Sequence, residues 1–135
     1  MRIQRRVLES IVAHSRREQP RECCGLLIGT TDEVFEAVAA ANVASDPLRE
    51  YEVSPIDHFA EIRRCRTSAA HRLPREVVGG YHSHPRSAPE PSPTDLDRAF
   101  EGFLYVIAGA IGDGIGVRAY RLAGGRFEPV ELEIV

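Results

Sequence analysis

His82 and His84 stand two residues apart at the end of an apolar run, Val77 to His82, that reads as a strand. Successive strand side chains alternate in direction, so both imidazoles project from one face and can share one ion. Asp95 closes the tetrad Ser92-Pro93-Thr94-Asp95, which has the chemistry of a helix start: a cap residue, a proline at the first helical position and a carboxylate in the first turn. A carboxylate so placed can reach back across the intervening loop. Two imidazoles and one carboxylate make a three-ligand set, and three protein ligands plus a water is the pattern of a catalytic rather than a structural zinc site.

Each of these residues also has a simpler reading. Two histidines near a strand end are more often an ordinary exposed pair, the class to which His14, His58 and His71 are assigned. Capping accounts for Ser92 and Asp95 as well as it accounts for Ser54-Pro55-Ile56-Asp57, the same pattern with no His-x-His ahead of it. Capping does not account for His-x-His-Pro, a rigid loop and a capped aspartate converging between positions 82 and 95. Cys23 and Cys24 invite the idea of a thiol nucleophile, yet a cysteine leading into Gly-Leu-Leu-Ile is more often a small buried apolar residue. There is no His-Glu-x-x-His, and no Pro-Cys-x-x-Cys accompanies a His-x-Glu, which excludes the zincin and deaminase arrangements.

The elements that must position these side chains follow from periodicity and punctuation. Val7, Leu8, Ile11 and Val12 recur at helical spacing and stop before Pro20, predicting an amphipathic helix that packs on a sheet. Gly25 to Thr30 reads as a buried strand and Glu33 to Ala40 as its hairpin partner. A polar loop over Asn42 to Glu50, with the turn signal Asp46-Pro47, precedes a short strand at Tyr51 to Val53; this loop is a candidate substrate contact. A second helix starts at Ser54-Pro55 and runs to about His71. After the His-Ser-His-Pro strand end, Arg86 to Pro93 is too rich in proline for regular structure. The third helix runs through about Phe100, with strands near Phe103 to Ala108, Gly116 to Leu122 and Phe127 to Ile134. This alternation predicts an α/β fold, one domain over residues 1–135 with a mixed sheet flanked by helices.

Composition narrows the partners. In 135 residues there are 20 acidic and 17 basic side chains, net charge -3, so no positive field is available to neutralise a phosphate backbone, and nucleic acid is not an expected partner. Every basic residue is arginine. The start of the chain is amphipathic rather than a secretory leader, and no segment approaches the roughly 20 apolar residues of a membrane span. A soluble, cytoplasmic protein is expected. Three cysteines, two of them adjacent, are not a disulfide framework, and free thiols are expected.

With these residues in view, His82-Ser83-His84-Pro85, six residues, then Ser92-Pro93-Thr94-Asp95 resembles the His-x-His-Pro-x6-Ser-x-x-Asp motif of the JAMM (MPN-plus) zinc metallopeptidases. Pro20-Arg21-Glu22-Cys23-Cys24-Gly25-Leu26-Leu27-Ile28-Gly29 is similar to the segment that carries the catalytic glutamate in bacterial members. Val78-Gly79-Gly80-Tyr81 and Tyr51-x-x-x-Pro55 add to the likeness, which extends over most of the chain. The resemblance implies a cytidine-deaminase-like JAMM/MPN fold. It also implies zinc held by His82, His84 and Asp95, with Glu22 as proton carrier and Ser92 as a donor to the oxyanion. The substrate it implies is an amide or isopeptide bond at the C-terminus of a ubiquitin-like or sulfur-carrier protein. A thin tail of that kind could lie extended along a sheet edge, its glycines permitting close approach. The few residues between Phe100 and Phe103 leave no room for the insertion with which larger relatives grip a second ubiquitin. Some members keep the fold and lose the metal, so a non-catalytic MPN-type binding module is the alternative; that alternative expects degenerate ligands.

Overall fold

The protein's computed structural model describes residues 1–67 and 74–135. After β1 (Arg2–Ile3), α1 (Arg5–Glu18) buries Val7, Ile11, His14 and Ser15, an apolar stripe at helical spacing interrupted by two polar residues. β2 (Cys24–Gly29) is buried at every position, as an uninterrupted apolar run in mid-sheet should be, and forms an antiparallel hairpin with β3 (Glu33–Ala40). α2 (Pro55–Thr67) opens where Ser54 Oγ accepts the Asp57 amide at 3.4 Å. There follow β4 (Glu76–His84), α3 (Pro93–Asp97), β5 (Leu104–Ile111), β6 (Gly114–Ala123), β7 (Arg126–Val130) and β8 (Glu133–Ile134).

The strands form one sheet in the order β7-β6-β5-β4-β2-β3-β1-β8. β4 runs parallel to β5, and β1 parallel to both β3 and β8; the other pairings are antiparallel. β7 and β8 lie at opposite ends of that order, yet only Glu131 and Leu132 separate them in sequence. The sheet must therefore curl until its edges meet. α1 fills the curl, packed against β3, β4, β5 and β6. The core inside includes Ile3, Val7, Ile11, Leu27, Leu104 and Val106, each contributing about 1.5–3 kcal/mol by burial.

The expected mixed sheet flanked by helices is present, with several differences of detail. Two-residue β1 and β8 carry no periodicity for a sequence pattern to detect. The segment read as one strand from Phe127 to Ile134 is two, because the chain crosses from one sheet edge to the other. Tyr51 to Val53 is not a strand: only Val53 makes an isolated bridge, to Asn42. α3 stops at Asp97 rather than near Phe100, and the expected continuation of α2 to His71 lies outside the described residues. His14 is buried, not exposed, its Nδ1 2.7 Å from the Tyr81 hydroxyl and its ring edge-on to Tyr81. His58 is half-buried. Among the described residues no helix is long and apolar enough to cross a membrane.

Candidate metal centre

β4 is flanked by β2 and β5, so its last residues are held from both sides: His82 is paired with Cys24 and Ile107, His84 with Gly109. The two imidazoles leave the sheet on the face away from Tyr81 and α1. Asp95 arrives from above on α3. A full capping box fixes it, with Ser92 Oγ accepting the Asp95 amide at 3.1 Å and Asp95 Oδ2 accepting the Ser92 amide at 2.9 Å.

That same Oδ2 lies 3.2 Å from His82 Nε2 and 3.2 Å from His84 Nε2, and the two nitrogens are 3.2 Å apart. The three atoms form an equilateral triangle. Donors held about 2.0–2.1 Å from a tetrahedral zinc are separated by about 3.3 Å, so this triangle is one face of such a polyhedron. The donor chemistry agrees. His84 Nδ1 donates to the Ala88 carbonyl at 3.1 Å, which leaves its Nε2 with a bare lone pair in the neutral ring. A proton on one nitrogen relieves one edge of a triangle of lone pairs; a cation relieves all three.

The Ala88 carbonyl reaches His84 because residue 109 has no side chain. A Cβ on Gly109 would come within 2.6 Å of Pro89 N, 2.7 Å of Ser87 O and 2.8 Å of Ala88 C, so the proline-rich loop packs directly on β5. Ala110 N donates to Ser87 O at 2.8 Å and closes the contact. His82 is held differently. Tyr51 stacks on its ring at 4.1 Å and 16°, and among the described residues its Nδ1 has no hydrogen-bond partner.

Charge follows position. Burial holds His82 below the ordinary histidine range, so it is neutral and ready to donate. Burial opposes protonation of His84 too, but its bonds to Asp95 and the Ala88 carbonyl outweigh this and raise it. Burial likewise opposes ionisation of Asp95, yet its hydrogen bonds to His82 and His84 drive the carboxyl well below the usual range. Burial pushes Glu22 up to about 7; nearby His84 pulls it down, and Asp95 and Glu50 add to the rise.

Glu22 sits just before β2 and is 7% exposed. One of its oxygens stays within 4.8 Å of both imidazole nitrogens. Of the two carboxylates, Asp95 makes the close contacts with the histidines, at 3.2 Å each. Ser83, pointing opposite to the two histidines, ties the two segments together: its Oγ accepts the Cys23 amide at 2.9 Å and its amide donates to the Cys23 carbonyl at 3.1 Å. Cys23 and Cys24 are buried free thiols raised by that burial, Cys24 to about 12, which suits packing rather than nucleophilic attack. Sequence reasoning missed Ser83, whose signal is its place between two ligating positions, and Tyr51 as the support of His82.

The structure thus brings His82, His84, Asp95, Glu22 and Ser92 to one place, whereas His14 is on the opposite face of the sheet. The loop over Asn42 to Glu50 lies against the backbone of Glu22, whose amide donates to Pro47 O at 2.8 Å. Beside the centre, separated from it by Tyr51, is a groove of 670 Å³ between α2 and the turn after α3; Leu26, Gly80 and Tyr105 line it together with Phe59, Phe100 and Phe103.

Comparison with known proteins gives concordant results. The profile of prokaryotic homologs of the JAB domain matches residues 4–123. A protein of Haloferax volcanii named desampylase is 34% identical over 133 residues, covering 93% of this chain and 90% of its own. A probable TtuB-protein conjugate cleaving protease of Thermus thermophilus is 34% identical over 124 residues, covering 92% of this chain and 77% of its own. The crystal structure of a JAB1/MPN domain protein from Archaeoglobus fulgidus superposes with a TM-score of 0.66 over 100% of this chain and 99% of that one; at 24% identity this likeness speaks for the fold. On the extent of the profile match and of these two relatives, the chain belongs to the family of prokaryotic homologs of the JAB domain.

Proposed function

We propose that this protein is a zinc-dependent peptidase that hydrolyses the amide or isopeptide bond joining the C-terminus of a ubiquitin-like carrier to its conjugate, with residues 1–135 acting as one catalytic unit. The observation that carries the reading is the 3.2 Å triangle of His82 Nε2, His84 Nε2 and Asp95 Oδ2, with a second buried carboxylate, Glu22, beside it. Zinc held there supplies a Lewis acid that brings water's pKa from 15.7 toward about 7 and polarises a carbonyl. Glu22 takes the proton of the attacking water and returns it to the leaving amine, a task suited to a carboxyl poised near 7. Ser92 Oγ uses a lone pair for the cap, so its own O–H remains free to donate to the oxyanion. The names of the Haloferax volcanii and Thermus thermophilus relatives support the substrate class. The alternative of a binding module that has lost its metal lacks the feature that would favour it, a missing ligand.

The test is incubation of the purified protein with a ubiquitin-like carrier bearing a C-terminal extension, followed by mass spectrometry. Shortening to the native tail, dependent on zinc and slowed by about 10²–10⁴-fold in Glu22→Gln with metal retained, is expected. Absence of bound metal and of cleavage points to the binding module instead.

A further inference from the structure

Residues 42–53 connect β3 to α2 without regular structure, yet they touch three parts of the metal centre. Tyr51 stacks on His82, and its carbonyl accepts from Arg98, which caps the α3 that carries Asp95, at 3.1 Å. The same guanidinium reaches Glu50 at 3.4 Å. The Glu22 amide donates to Pro47 O. One side chain closes this loop, that of Asn42. Its Oδ1 accepts the amides of Ala44 and Glu52 at 3.0 Å each, and its Nδ2 donates to the carbonyls of Glu50 at 3.1 Å and of Glu22 at 3.0 Å. Both Nδ2 protons and both Oδ1 lone pairs are engaged.

We infer that Asn42 is a positioning residue for Glu22: its amide nitrogen grips the Glu22 carbonyl while the loop it closes grips the Glu22 amide, so both polar ends of the residue are fixed from outside β2. The inference rests on the reading of Glu22 as proton carrier. Glu22 lies one residue ahead of Cys23, which Ser83 holds, but its own amide and carbonyl bond to Pro47 and Asn42 rather than to a neighbouring strand. The side chain must nevertheless stay within 4.8 Å of two histidines that are anchored in mid-sheet. Without those two bonds the residue is anchored only through Cys23, and a misplacement of its carboxylate by about an ångström costs about 10²-fold in rate. Asn42 does not touch His82, His84 or Asp95, which are anchored by the β4 pairings, the Ala88 carbonyl and the capping box, so its loss acts chiefly on the proton carrier.

The experiment compares Asn42→Ala and Asn42→Asp with the wild-type chain on one extended carrier, together with metal content and amide hydrogen exchange. Aspartate keeps an acceptor for Ala44 and Glu52 and loses both donors. The expected result is a fall in kcat of about 10²-fold in both variants with KM within about threefold. Zinc stays at about one per chain, and the Glu22 amide exchanges at least about tenfold faster. In a Glu22→Gln background, Asn42→Ala should change the single-turnover rate by less than about twofold, because the group it positions is already gone. A wild-type rate in Asn42→Asp shows that only loop closure matters and overturns the inference; so does a full additional loss in the Glu22→Gln background. A wild-type chain that binds zinc and cleaves nothing sinks the functional reading itself, an outcome distinct from cleavage that is indifferent to Asn42.

Discussion

At Ser92 and Asp95 one capping box has two consequences, because the oxygen that accepts the Ser92 amide is the oxygen that faces both imidazoles. Helix stability and metal geometry are thereby coupled through a single atom. Ser92→Ala removes the cap acceptor and should lower stability by about 1 kcal/mol, read from chemical denaturation. If the hydroxyl also serves the oxyanion, kcat falls by about 10²-fold as well, and Ser92→Thr restores both. A kcat within twofold of wild type in Ser92→Ala would reduce the residue to a cap. The pair Ser54 and Asp57 is an internal control. There the Asp57 carboxylate accepts the Ala41 amide at 2.8 Å, so the same motif joins α2 to the end of β3.

At the scale of elements, β4 and β5 matter less for what they bury than for what they allow to approach. The parallel pairing sets Gly109 beside His84, and the vacancy at Gly109 admits the loop whose Ala88 carbonyl fixes the His84 tautomer. Gly109→Ala is therefore expected to lift that loop. Zinc affinity, measured by competition with a chromophoric chelator, should drop by about 10–100-fold, the usual result of losing a partner behind a ligating imidazole. The β-strand itself should survive, so circular dichroism should be unchanged. An affinity equal to wild type would mean that the loop yields without disturbing His84.

For the whole molecule, the candidate metal centre brings β4, α3 and the segment before β2 together, and a metal bound only by the folded state would add to its stability. Chelation should lower the melting temperature, and zinc at 100 times its dissociation constant should restore about 2.7 kcal/mol. The pH dependence follows from His84. Its pKa in the metal-free fold is raised above 6.5, and the proton competes with the cation for Nε2. Stabilisation by a bound metal is thus expected to be fully present well above that value and lost as pH falls through it; Asp95, driven low, remains ionised and does not add to the loss. A zinc-dependent rise in melting temperature that is as large at pH 5 as at pH 8 would contradict this assignment of ligands.

Much of the candidate site was legible because it depends on short-range geometry. Strand alternation places His82 and His84 on one face whatever the rest of the chain does, and capping chemistry starts α3 at Ser92. Glu22 was marked only by the resemblance of its flanking residues to a known motif, since no local rule connects position 22 with position 82. The tertiary structure alone made that connection, through the β2–β4 register and the Ser83 bonds to Cys23. It alone also showed that the Asn42 to Glu50 loop, expected as a substrate contact, bonds to the amide and the carbonyl of Glu22. His14 and the split of the last strand were misread for the same physical reason. Burial of a histidine and the curling of a sheet until its edges meet are settled by contacts between residues far apart in sequence, which periodicity along the chain does not encode.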